Sequence, residues 1–360
     1  MGLSSTCVYV TDLQQTSLVA LPQPVTAGEQ LLDIDSSPAG SAYRLERTQR
    51  SPDGSTVWAP MIDGVERLGV LQASAPDLDE DLVGWCETLA GVAALLLVSK
   101  SSHNDPLVEA GRRRNMTVQA ELVWAFLPPR TIGTARVTSS AVLEPAYDIG
   151  GDTFDHSFTE RALHLTLLDS MGHDLASGGA SAAGLATCRA TRRSGGSIAE
   201  IVPAIDKVLD EWFTDRLMTA VIAELDTEDG TLTWVNCAHP PPLLIRDGRV
   251  LPRGLEREPD LPLGWGFHTS SPPTVHRTRL QPGDRILVHS DGVTEARSPL
   301  GDLFGEERLA DTVIRAMAAG DPAPEALRRL VHELLHHQDH RLRDDATILL
   351  VEWHPSRDRT

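Results

Sequence analysis

The chain has 360 residues, enough for two domains, and 41% of its side chains are hydrophobic, enough for real cores. Its formal net charge of −19 argues against a nucleic-acid partner, because phosphate recognition needs a basic face. Four scattered cysteines, Cys7, Cys86, Cys188 and Cys237, show neither zinc spacing nor a disulfide framework, so a reducing cytoplasm is the expected location. Met1 to Val10 lacks the basic start and apolar core of a signal peptide. The longest apolar run, Leu89 to Val98, is too short to span a bilayer, so no membrane association is expected.

In chain order, residues 1–100 read as a small mixed α/β module. Thr6–Val10 and Thr16–Leu21 are predicted strands, and Val57–Ile62 and Val65–Gln72 flank a predicted hairpin turn at Asp63-Gly64. A helix follows, with Leu82, Trp85, Cys86, Leu89, Val92, Ala93 and Leu96 on one stripe and Asp79, Glu80 and Asp81 at its N-terminus. Ser99–Asp105 is a polar break, and residues 101–130 read as a linker. Within it a single helix is predicted over 107–127, stopped by Pro128-Pro129, which would pair with its copy in a homodimer or pack on either domain. From residue 131 to 355 strands alternate with helices. Leu163–Asp169, Met218–Asp226, Thr231–Ala238, Arg285–Ser290 and Ala346–Glu352 are predicted strands, with turns at Glu228-Asp229-Gly230 and Asp247-Gly248. Ile198 to Phe213 and Leu327 to Leu335 carry apolar residues at helical spacing, which together predicts an antiparallel sandwich covered by helices.

Chemistry concentrates in aspartates at the ends of predicted strands. Asp152 follows Gly150-Gly151, with Asp155 close behind. Asp169 ends the run Leu163–Leu168 and is followed by Ser170, Gly172 and His173; Asp291 ends Arg285–Ser290 and precedes Gly292; Asp344 and Asp345 precede Ala346–Glu352. Carboxylates gathered in one cleft repel unless a cation neutralises them, and all-oxygen ligands select hard ions such as Mg²⁺ or Mn²⁺. His336 and His340 have zinc-like spacing but no third ligand near in sequence, so they read as a solvated face.

Asp152, Asp169, Asp291 and Asp344, with their flanks, resemble the metal motifs of type 2C metal-dependent protein phosphatases, in particular the stage II sporulation protein E branch. Leu280–Ala296, with its Ser290-Asp291-Gly292 centre, and Asp344–Val351 are specific matches. Ala125–Pro129, His239–Leu243 and Leu261–Gly264 support them. The resemblance implies an α+β fold, a four-layer αββα sandwich holding two Mn²⁺ or Mg²⁺ ions. It implies that Asp169 bridges both ions, that the Ser170 carbonyl completes one shell, that Asp291 and Asp344 hold the other ion, and that Asp152 acts through ligation or water. Asp155 and Asp345 are additional candidate ligands, and His173 is a candidate general acid. The implied reaction is hydrolysis of phosphoserine or phosphothreonine by in-line attack of a metal-bridging hydroxide, Asp169 and Asp291 acting through the metal-bound water. The implied substrate is a phosphorylated anti-sigma factor antagonist in a partner-switching pathway. A catalytically degenerate regulator that only binds a partner is the alternative, motivated by Asp174, which replaces the branch's usual glycine and would either tighten metal binding or obstruct the phosphate, and by Cys237-Ala238 before His239, where the branch usually has a glycine-containing form. Ser37–Gly40, Val57–Ile62 and Leu68–Leu71 make residues 1–100 resemble a GAF sensory domain lacking its usual leading helix.

Overall fold

The computed structural model describes residues 2–21, 31–148 and 150–354. The chain divides into two compact units, residues 1–115 and 116–360. The first unit is a six-stranded antiparallel sheet in the order β3-β2-β1-β6-β5-β4: β1 (Ser5–Thr11), β2 (Ser17–Leu21), β3 (Leu31–Asp33), β4 (Gln49–Arg50), β5 (Thr56–Asp63) and β6 (Glu66–Ser74). Helix α1 (Pro38–Leu45) is capped by the Ser37 hydroxyl, which accepts from Gly40 N, and packs Ala39, Ala42 and Tyr43 against Tyr9, Leu18 and Val70. The β5–β6 hairpin forms one residue later than expected. Asp63 pairs with Glu66, so Gly64 and Val65 make the turn, and Gly64 supplies the left-handed φ of 63°.

Helix α2 (Glu80–Ser101) is capped by Asp79, as its acidic start implied, but it turns a different face to the sheet. Val83, Cys86, Ala90 and Ala94 are buried against Val57, Ala59, Met61, Leu71 and Ala73, whereas Trp85, Leu89, Val92 and Leu96 of the expected stripe are exposed. Because the helix is apolar nearly all round, periodicity could not choose the face, and the small side chains allow the closer approach to the sheet. This helix is also long and apolar enough to cross a membrane by length and composition, since glycine, alanine and threonine extend the short leucine-rich run. The predicted single helix over 107–127 is instead two. Helix α3 (Asp105–Ala110) ends at Gly111, and α4 (Val118–Phe126) starts anew under a Thr117 cap, so Arg112–Asn115 separates them.

The second unit stacks two antiparallel sheets. One has the order β15-β12-β11-β10-β9, made of β9 (Asp152–Phe158), β10 (Ala162–Ser170), β11 (Met218–Asp226), β12 (Thr231–Cys237) and β15 (His276–Arg279). The other has the order β14-β13-β16-β17-β8-β7, made of β7 (Thr131–Gly133), β8 (Val137–Glu144), β13 (Leu243–Arg246), β14 (Arg249–Val250), β16 (Arg285–His289) and β17 (Ala346–Trp353). Alternation along each strand sends one set of side chains between the sheets: Leu163, Leu165, Leu167, Val221 and Trp234 meet Val137, Leu143, Val288, Leu349 and Val351. The other set meets helices. Leu168, Ala220 and Ile222 pack with α5 (Leu175–Arg193) and α6 (Ile198–Trp212), while Ile245, Leu287, Ile348 and Leu350 pack with α9 (Gly305–Ala318) and α10 (Ala323–His337). Short helices α7 (Phe267–Ser270) and α8 (Asp291–Thr294) complete the unit. The expected αββα sandwich is therefore the observed one. The Asp247-Gly248 turn is also seen, with Arg246 paired to Arg249 and both turn residues at positive φ.

Candidate metal centre

Strand register sets the first half of the site. Asp152 lies directly opposite Asp169 across the β9–β10 ladder. Asp169 falls in step with Leu163, Leu165 and Leu167, and Asp152 with Phe154, so both carboxylates stand on the face turned toward the second sheet. Glycine is required beside them: a Cβ on Gly151 would lie 1.9 Å from the Ser170 carbonyl oxygen. The second sheet supplies the other half. Asp291 opens α8 just after β16, and Asp344 stands just before β17, the strand paired with β16. Ser290 stitches the two strand ends, its N–H donating to Thr347 O at 3.0 Å and its Oγ accepting from Thr347 N at 3.0 Å. A Cβ on Gly292 would lie 2.0 Å from the Asp345 carbonyl, so only glycine lets the Ser290–Asp291–Gly292 turn press so close.

The carboxylates feel one another. Burial, then the charges of Asp291, Asp344 and Asp345, push the Asp169 pKa up to about 7. Asp152 is raised well above the usual carboxylate range by burial and by Asp169 and Asp345. Asp344 stands exposed at the mouth, yet surrounding protein and then Asp291 raise it too, while His173 acts in the opposite direction. Among the described residues, buried Asp152 Oδ2, Ser170 Oγ and Thr347 Oγ1 make no well-formed hydrogen bond, although Thr347 and Ser290 lie close enough to Asp152 to temper its rise in pKa. No three His, Cys, Asp or Glu side chains among the described residues are gathered closely enough to hold a metal ion as they stand. Orphaned buried oxygens, mutual repulsion and an all-oxygen donor set suit hard divalent cations such as Mg²⁺ or Mn²⁺. Asp152, Asp169, Asp291, Asp344 and the Ser170 carbonyl are the groups that would hold them.

Two candidate ligands do other work. Asp155 points to the opposite face of β9, an odd number of residues from Asp152, where it accepts from Arg189 at 2.7 Å and Arg192 at 3.0 Å. Burial raises its pKa, but the two guanidinium groups outweigh that and hold it below the usual range. It ties β9 to α5 and is not a ligand. Asp345 is the anchor of the glycine turn: its carboxylate accepts from the backbone N–H groups of Gly150, Gly151 and Asp152 at 2.8–3.1 Å. Burial pushes it up to about 6 against those lowering hydrogen bonds. The sequence signal for this role was the doubled aspartate before β17, whose second member faces inward when the first faces out.

Asp174 is engaged at the start of α5. It is the N-cap of α5, accepting from Ser177 N at 2.9 Å, and it pairs with Arg216 Nη2 at 2.6 Å. Arg216 Nη1 also donates to the Met171 carbonyl at 3.1 Å, so one guanidinium clasps both ends of the turn after Ser170. Sequence reasoning missed Arg216, which no motif surrounds. His173 is exposed at the mouth, with its Cα 2.9 Å from where a Gly150 Cβ would be. His239 is structural: Nε2 donates to the His289 carbonyl at 3.1 Å, so Nδ1 accepts from Thr219 Oγ1 at 2.7 Å. Burial lowers its pKa to about 3 and keeps the ring neutral. His340 lies beyond the end of α10 at positive φ, so its spacing from His336 is not helical.

Comparison with known proteins agrees with this geometry. A sequence model of stage II sporulation protein E matches residues 159–354, more than half of the chain and the whole segment carrying Asp169, Asp291 and Asp344. The chain belongs to the stage II sporulation protein E family. Its catalytic-type unit is accordingly a type 2C serine/threonine phosphatase domain. Among curated relatives, Protein IcfG of Synechocystis sp. (strain ATCC 27184 / PCC 6803 / Kazusa) is 28% identical over 134 residues, which are 37% of this chain and 20% of that protein. The chain thus spans about a fifth of that relative's length. The fold resembles the SiaA-PP2C domain of Pseudomonas aeruginosa, with a TM-score of 0.54 and 22% identity over 65% of this chain and 94% of that one. It also resembles the RsbU and RsbW domains of Rv1364c from Mycobacterium tuberculosis, with a TM-score of 0.50, 22% identity and coverage of 60% and 61%. The SpoIIE phosphatase domain and regulatory fragment from Bacillus subtilis gives 0.50 and 19%, covering 60% and 63%. At these identities the likeness concerns the fold.

Proposed function

We propose that this chain is an active Mn²⁺- or Mg²⁺-dependent protein phosphatase that hydrolyses phosphoserine or phosphothreonine. One observation carries the reading: the cross-strand pair Asp152–Asp169 faces Asp291 and Asp344 from the other sheet, where burial and then the charges of Asp291, Asp344 and Asp345 push Asp169 up to about 7. Asp152, Asp169, Asp291, Asp344 and the Ser170 carbonyl would hold two divalent ions, which would supply an acidified water at neutral pH and offset charge on the phosphoryl oxygens. Asp345 keeps the 150–152 turn in place, Arg216 keeps the 171–174 turn in place, and exposed His173 is the residue we assign to pass a proton to the leaving hydroxyl. The substrate we favour is a phosphorylated anti-sigma factor antagonist in a partner-switching pathway, a reading supported by family membership. The first unit is read as a GAF-like sensory module, and four free cysteines support a reducing cytoplasm. Hydrolysis of p-nitrophenyl phosphate with Mn²⁺ tests the activity. We expect turnover by the native chain and a loss of more than about 100-fold in Asp169→Asn and Asp291→Asn. A folded native chain that binds Mn²⁺ weakly and turns over nothing would instead make it a partner-binding regulator.

A further inference from the structure

Helix α2 has two apolar faces, and the described residues of the first unit cover only one. From Thr88 to Ser99 the helix has no charged side chain. Its small-residue face lies on β5 and β6, while Trp85, Leu89, Val92 and Leu96 on another side are 58%, 45%, 47% and 54% exposed. Those four, preceded by half-buried Leu82, follow the alternating three- and four-residue spacing of a helix-pairing seam. We propose that this seam is the interface with a second copy of this chain, packed antiparallel across a twofold axis midway between Leu89 and Val92.

The register follows from the residues themselves. An antiparallel pair about that point sets Trp85 against the partner's Leu96 and Leu89 against the partner's Val92. It also sets Asp81, at the acidic start of α2, beside the partner's Lys100 at its end. Attraction between those charges and opposed helix dipoles both favour this direction. At roughly half exposure each, Trp85, Leu89, Val92, Leu95 and Leu96 leave on the order of 500 Å² open per copy, so pairing removes at most about 1,000 Å² from these side chains, the lower bound for a specific interface. A membrane is the poorer occupant. Along its length the helix is fixed to a sheet, which lipid cannot replace, and its neighbours Glu80, Asp81 and Glu87 repel anionic headgroups in a chain already at −19. The helix expected over 107–127, to pair with its copy or to pack on either domain, is broken and offers no continuous pairing face.

Sedimentation velocity of the full chain between about 1 and 50 µM tests this. We expect a dimer, with the dissociation constant raised at least about 100-fold in the double variant Leu89→Glu/Val92→Glu, whose positions lie outside the core. Should that variant not fold, as read by circular dichroism, Lys100→Asp is the substitute. It should weaken the dimer, and Asp81→Lys added to it should restore the dimer. A monomeric native chain, a dimer that survives the seam variants, or a charge swap that restores nothing overturns the proposal. So does flotation of a monomer on phosphatidylcholine–phosphatidylglycerol vesicles.

Discussion

Asp169 shows how one side chain couples stability to pH and to metal. Its folded pKa, about 7, lies above the ordinary value, so the folded state holds this proton more tightly than the unfolded chain does. Metal-free protein is therefore favoured at low pH and loses this contribution as pH rises from about 4 through 7. We expect its melting temperature to fall across that window, to fall less in Asp169→Asn, and to recover on adding Mn²⁺, as differential scanning fluorimetry would read. A metal-free melting temperature flat between those pH values would contradict the mutual repulsion. At the same scale Gly151 and Gly292 carry no chemistry, yet each leaves room for a backbone carbonyl that a Cβ would strike.

The turns between elements decide whether the aspartates can be held in place. Asp345 serves three backbone donors of the turn before β9, so Asp345→Ala orphans buried N–H groups and should cost about 2–4 kcal/mol in urea unfolding. Asp345→Asn keeps an acceptor and sheds a charge, so it should cost clearly less; equal losses would mean that the hydrogen bonds are not the cause. Arg216 holds the turn between β10 and α5 from both ends. Arg216→Ala should raise the Mn²⁺ concentration for half-maximal hydrolysis about tenfold with a smaller effect on the saturated rate. An unchanged metal requirement would leave Arg216 a mere cap partner.

For the whole molecule, the division near Asn115 and Met116 matters most. Each unit has its own sheet and core, and every candidate ligand belongs to the second. A fragment beginning at Met116 should fold and hydrolyse p-nitrophenyl phosphate with Mn²⁺, its melting followed by circular dichroism. Failure to fold would show that the units depend on each other. The acidity of the chain then has two parts: a solvated surface, and a small, largely buried cluster that protons or bound cations neutralise.

Aspartates set beside glycines at the ends of apolar runs were legible without any structure, because strand alternation and tight turns are local properties of a sequence. So were the alternating helices and strands that build the sandwich. Local pattern could not say that Asp155 finds two arginines, or that Asp345 spends its oxygens on backbone donors. Nor could it say that Arg216 holds Asp174. Those depend on partners 34, 195 and 42 residues away, which only the packed chain brings together. Helix α2 marks the same boundary: its apolar residues were plain, but which face met the sheet was settled by how closely small side chains let the two surfaces approach.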